Sequence, residues 1–194
     1  MAAQRSDDEN MKGRASREYV IWDPLVRCFH WSLAASFFLN YFITEDGGLL
    51  HDWIGYFASF ALAVRLVWGF IGPRHARFSD FWPSKAGILG HLQDLKRRHV
   101  SPSEGHNPVG GLMVLALMTG MVCLGITGYL MKNVDYFFGE SWLEELHGAI
   151  ANGLALLVTV HVSAILVLER WLKMPFIRPM LNGKRTLPNS EDLG

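Results

Sequence analysis

The stretch Leu146–Leu168, LHGAIANGLALLVTVHVSAILVL, decides how this chain is read. It is apolar enough to cross a bilayer, yet it carries two histidines, His147 and His161. Fourteen residues separate them, which on a helix is about 21 Å of rise and close to four turns. Both project from nearly the same side of one helix at two depths. Histidine inside an apolar span is costly and is kept for a task. Two of them stacked this way point to two sites, one above the other, each needing a partner from elsewhere in the chain.

Half of the 194 residues are hydrophobic and 19% are charged, with the charges gathered at the ends and in a few loops. This is the balance of a small polytopic membrane protein. The expected fold is an all-α integral membrane protein, a four-helix transmembrane bundle with spans at about 25–43, 51–71, 109–131 and 146–168. Residues 1–19 read as a disordered polar tail without a signal-peptide pattern, 20–185 as the four-span domain and 186–194 as a C-terminal tail. Lysine and arginine crowd three segments: the N-terminus (Arg5 to Arg27), the connection 72–108 and the tail after Arg170. Lys132 alone stands in a loop on the other side. The positive-inside rule then places both termini and the long connection in the cytoplasm, with the spans among membrane lipids.

Within that connection, Phe78, Phe81 and Trp82 read as an interfacial aromatic cluster. Ile88, Leu89, Leu92 and Leu95 give residues 84–98 the apolar stripe of a short helix lying on the inner leaflet. A partly ordered basic loop is the competing reading. Cys28 and Cys123 lie in apolar stretches and read as buried free thiols. Neither belongs to a C-x-x-C-H run, so covalent haem attachment is not expected. No nucleic-acid partner is expected either.

Four histidines, His75, His91, His99 and His106, fall in the connection and read as solvated. The other four sort by depth. Span one enters from the inside, which sets His30 near the inner interface. Spans two and four start outside, which sets His51 and His147 near the outer interface and His161 further in. His51 with His147, and His30 with His161, are therefore two pairs, each drawn from two spans. Facing helices of a bundle commonly hold a cofactor this way, and histidine is a standard axial ligand of haem iron. The pattern predicts two bis-histidine b-type haems. A hydrogen-bonded structural role is the bland reading for any single histidine. A zinc site lacks carboxylates or thiols at the same depth.

Arg65 stands fourteen residues after His51, at the level of the inner pair. Two readings compete for it: contact with a haem propionate, or snorkelling to the inner surface. Gly55, Gly148, Gly120, Gly125 and Gly128 suit either a flat cofactor or close helix packing.

These residues resemble the prokaryotic cytochrome b561 family, related to the b-type cytochrome subunits of nickel–iron hydrogenases. The resemblance rests on WDPLVRCFHW around His30, LHDWIGY around His51, RLVWGFIGPRHARF at the end of span two, GHNPVGG before span three, and the two histidines of the opening stretch. It implies four spans, two b haems and electron transfer between a quinone pool and another redox protein. Carried over, His30 and His161 would hold the inner haem, and His51 and His147 the outer one.

With both axial positions filled by histidine, a haem passes single electrons and does not bind substrate at iron. The expected function is a transmembrane electron relay between quinone or quinol and a redox partner, a periplasmic c-type cytochrome or a redox enzyme. Glu45, Asp46, Asp52 and Lys132 are outer-face candidates for a quinone site, with a solvated turn as the favoured competing reading of the acidic ones. The net acidic outer loops suit a basic partner. Two alternatives stand beside this one: a stand-alone oxidase of a small donor such as superoxide, which needs a cationic funnel, and a haem-containing anchor subunit of a larger complex.

Overall fold

Asp23 and Pro24 open the first long helix. In the computed structural model, which describes residues 17–73, 76–80, 88–90 and 108–187, the Asp23 carboxylate accepts the Val26 N–H at 2.9 Å and caps the helix. Pro24 sits in the first turn, where its missing N–H is not needed. Helix α1 runs Pro24–Phe42, α2 Leu49–Ile71, α3 Pro108–Asn133 and α4 Ser141–Leu172. Single 3₁₀ turns, Phe78–Asp80 and Asp135–Phe137, follow α2 and α3. After Lys173, held in a left-handed conformation, the chain turns into the short helix α5, Ile177–Asn182. The Glu169 carboxylate accepts the Phe176 and Ile177 N–H groups at 3.1 Å each and fixes that turn.

The helices α2, α3 and α4 are long and apolar enough to cross a membrane. Helix α1 is not, although a fourth such span is expected from the sequence. It has 19 residues, and Arg27, His30, Ser32, Ser36 and Asn40 dilute its apolar character. Helix α4 outruns the expected 146–168 at both ends, because its polar first turn and its Glu169–Arg170 end remain helical. The bundle carries large apolar side chains outward: Phe60 is 69% and Phe70 73% exposed. A water-soluble surface does not present such a continuous apolar face.

Consecutive helices pack side by side, α1 on α2, α2 on α3 and α3 on α4, whereas the remaining pairs of long helices scarcely approach through their backbones. Glycine makes two of these contacts possible. A Cβ on Gly125 would stand 2.7 Å from Ser59 Oγ of α2, and one on Gly120 would stand 2.7 Å from Leu154 Cδ1 of α4. At these two positions glycine serves close helix packing.

One end of the bundle gathers both termini. Strand β1, Arg17–Val20, pairs antiparallel with β2, Lys184–Leu187, with Arg17 opposite Leu187 and Val20 opposite Lys184. The protein is thus helical apart from one short two-stranded sheet. Residues 17–19 and 186–187, expected to belong to loose tails, are strand. Gly183 brings the two segments together. Its carbonyl accepts the Ile21 and Trp22 N–H groups at 2.9 and 3.2 Å, and its positive φ of 84° ends α5. Trp31 Nε1 donates to the Met180 carbonyl at 3.1 Å, and Arg27 donates to that of Leu181. Ile21, Trp22, Val26 and Ala76 form a buried cluster with Trp68 and Met180 packed against it. Full burial of a side chain such as Ile21 contributes about 1.5–3 kcal/mol. This cluster floors the bundle at the termini end.

Residues 88–90 are helical. The rest of the expected helix 84–98 lies outside the described residues, as do Phe81, Trp82, His75, His91, His99 and His106. Phe78 is described: its ring stacks against Gly69 of α2. Both cysteines are free, with Cys123 half-buried. Cys28 is exposed, contrary to expectation, because it lies on the outward side of α1.

Candidate functional site

At the hairpin end, opposite the termini, His51 occupies the first turn of α2 and His147 the second turn of α4. Their rings face each other with centroids 6.3 Å apart and planes at 61°. Each ring is held from behind. Thr127 Oγ1 of α3 lies 2.7 Å from His147 Nδ1, and Thr44 Oγ1 lies 3.2 Å from His51 Nδ1. Asn40 of α1 donates through Nδ2 to the His51 carbonyl at 3.0 Å, tying the start of α2 to the end of α1.

This arrangement fits a metal held between two imidazoles. With each nitrogen about 2 Å from the metal, two such rings have centres roughly 6 Å apart. The pair needs no large movement to reach that spacing. Among the described residues, no group of three or more histidine, cysteine, aspartate and glutamate side chains converges in a way that would hold a metal without further ligands. A planar cofactor that supplies its own equatorial ligands and asks the protein only for two axial nitrogens suits what this end offers.

At the termini end, His30 lies in the second turn of α1, and His161 lies four turns along α4 from His147. The two are near enough to interact electrostatically. His30 packs edge-on against Trp31, with ring centroids 5.0 Å apart. Its Nδ1 is buried and has no hydrogen-bond partner among the described residues. Arg65 of α2 belongs to the same end. It is buried, with 6% of its surface exposed, so it does not snorkel out to solvent. Its guanidinium carbon lies 5.3 Å from the centre of the Phe78 ring, and Asp23 is within electrostatic reach. Among the described residues, one guanidinium nitrogen, Nη1, has no acceptor, and neither has Trp68 Nε1, one turn further along α2. A buried cation with an open donor fits the carboxylate of a haem propionate, since leaving such a donor unpaired costs about 1–3 kcal/mol or more.

Of the outer-face candidates, Lys132 and Asp52 are joined to each other. Lys132 Nζ lies 3.1 Å from Asp52 Oδ2 and donates to the Gly47 carbonyl at 3.0 Å. Asp46 lies within electrostatic range of His147. Glu45 turns its backbone into the bend, where its carbonyl accepts the Gly48 N–H at 3.1 Å.

Thr44, Thr127 and Asn40 have no place in the sequence reading, yet they hold the two rings. A signal for one of them exists: Thr127 and His147 stand ten residues to either side of Phe137, so an antiparallel hairpin sets them at one level.

Comparison with known proteins supplies a family. The family model for prokaryotic cytochrome b561 matches residues 21–183. A probable Ni/Fe-hydrogenase B-type cytochrome subunit of Azotobacter vinelandii is 27% identical over 184 aligned residues, covering 76% of this chain and 74% of that protein. The probable Ni/Fe-hydrogenase B-type cytochrome subunit of Azotobacter chroococcum mcd 1 is similar to the same extent. With apolar helices of membrane-spanning length and a family match across most of its residues, the chain belongs to the prokaryotic cytochrome b561 family and is a multi-pass membrane b-type cytochrome of electron transfer.

Proposed function

We propose that the chain carries single electrons across a bacterial inner membrane through two bis-histidine b haems, between the quinone pool and a redox partner. Helix α1 is the fourth span, beside α2, α3 and α4, and both termini are cytoplasmic. His51 and His147 are the axial ligands of the outer haem, and His30 and His161 those of the inner haem. Arg65 meets a propionate of the inner one. The observation that carries this reading is the facing of the His51 and His147 rings at 6.3 Å across two non-consecutive helices.

Haem b, when bound, supplies a one-electron iron couple. The residues do the rest. Two imidazoles at each level would hold the iron, which would keep substrate off it. The fourteen-residue offset on α4 sets the levels about 21 Å apart, one toward each face. The outward phenylalanines of α2 hold the bundle in lipid. The redox partner is a periplasmic c-type cytochrome or a redox enzyme, and the hydrogenase-subunit names of the two relatives favour an enzyme complex. The superoxide-oxidase alternative needs an outer cationic funnel, and Lys132 is already engaged by Asp52.

The test is a reduced-minus-oxidised spectrum of the purified protein with haem quantification, followed by stopped-flow reduction with a quinol analogue. Two b haems per chain, reduced by quinol and reoxidised by an added partner, are expected. Absence of a b-type signal would falsify the proposal, and haems inert to quinol would leave only the anchor role.

A further inference from the structure

The threonine behind each ring of the His51–His147 pair has only one proton to give, and its other contacts show where that proton goes. Thr127 Oγ1 lies 2.8 Å from the Cys123 carbonyl and 3.2 Å from that of Leu124, both on its own helix. A carbonyl can only accept, so the helix offers the hydroxyl proton two acceptors of its own. With the hydroxyl proton placed on the helix, Thr127 can only accept toward His147 Nδ1, at 2.7 Å. The ring then carries its own proton on Nδ1, which leaves the Nε2 lone pair free. The same logic runs more weakly at Thr44. Its hydroxyl donates to the Asn40 carbonyl at 3.2 Å and accepts from His51 Nδ1 at 3.2 Å. Thr127 is 94% buried, so water does not compete for its hydroxyl. Both imidazoles would then carry an unprotonated Nε2, on rings whose centroids are 6.3 Å apart.

We propose that Thr127, and to a smaller degree Thr44, are positioning residues that fix His147 and His51 in the tautomer able to bind iron through Nε2 and that hold down the reduction potential of that haem. This rests on the reading of the two histidines as axial ligands. An acceptor on Nδ1–H makes an imidazole a more basic ligand. A more basic ligand favours the ferric over the ferrous state. The shorter bond at Thr127 gives it the larger share.

The experiment uses the full chain in detergent and compares wild type with Thr127→Val, Thr127→Ser and Thr44→Val. Valine keeps the branched shape and removes the acceptor, while serine keeps the hydroxyl. Haem per chain and the ferric electron paramagnetic resonance signals are recorded first, and each variant is then titrated potentiometrically. Thr127→Val should raise one of the two midpoint potentials, changing the ferric-to-ferrous ratio at fixed potential three- to tenfold, about 28–59 mV for one electron. The other potential should stay in place. Thr127→Ser should restore the wild-type value, and Thr44→Val should shift the same haem by less. Loss of that one haem in Thr127→Val with its return in Thr127→Ser also supports the role. Two haems with unmoved potentials in Thr127→Val, or equal shifts in valine and serine variants, would overturn it. Failure of the ligand reading is distinct: His147→Ala would then keep both haems.

Discussion

The two ends of the bundle solve the same problem differently. At the hairpin end, both histidine rings are braced from behind by threonine hydroxyls and face each other at 6.3 Å. At the termini end, His30 Nδ1, Arg65 Nη1 and Trp68 Nε1 are buried nitrogens without hydrogen-bond partners among the described residues. One level supplies acceptors to its ligands; the other holds a buried cation and open donors. Acceptors behind a ligand favour oxidised iron. A nearby cation favours the reduced form, because it stabilises the added electron. If the proposed ligand reading holds, the difference teaches that two levels with the same ligand type would be tuned in opposite directions by their surroundings. On the proposed reading, the haem at the hairpin end takes the lower potential and the haem at the termini end the higher.

The largest test of this contrast removes one ligand. His147→Ala should reduce two haems per chain to one and leave the other level intact, and His161→Ala should do the reverse, as read by haem extraction and spectroscopy. Loss of both haems from either change would mean that the levels fold as one unit. Next in size, Arg65→Leu should lower the potential of the termini-end haem by about tenfold in the ferric-to-ferrous ratio, ~59 mV, without moving the other. A shift of the hairpin-end haem would break the comparison. Asp23→Ala removes the cap of α1 and should cost about 1 kcal/mol in stability, measured by thermal unfolding in detergent. Asp23→Asn should recover most of it, since asparagine also caps. Smallest is Lys132→Ala: a partly exposed ion pair is worth roughly 0–1 kcal/mol, so stability should hardly change and both haem spectra should stay as they are.

Much of this architecture is written locally. The hydrophobic runs set α2, α3 and α4, because a helix in an apolar setting is dictated by the length of the run. Asp23-Pro24 sets the start of α1 through cap chemistry. The fourteen-residue spacing of His147 and His161 sets two levels on one helix, since helical rise is fixed. The span character of α1 is less legible, because its polar residues serve contacts with other segments: Arg27 reaches the Leu181 carbonyl and Asn40 the His51 carbonyl.

The sequence by itself determined the three long apolar helices, the four-turn spacing of His147 and His161, and the family. Only the tertiary structure decided which groups stand behind the histidines, that Arg65 is buried over Phe78, and that the two termini join in a strand pair under the bundle. The reason is one of range. Helix rise and apolar runs act over a few turns, and residue spacing encodes them directly. Thr127 and His147, Arg65 and Phe78, or Val20 and Lys184 meet only after separate elements have packed, and a threonine in an apolar helix looks the same in sequence whether or not a histidine faces it.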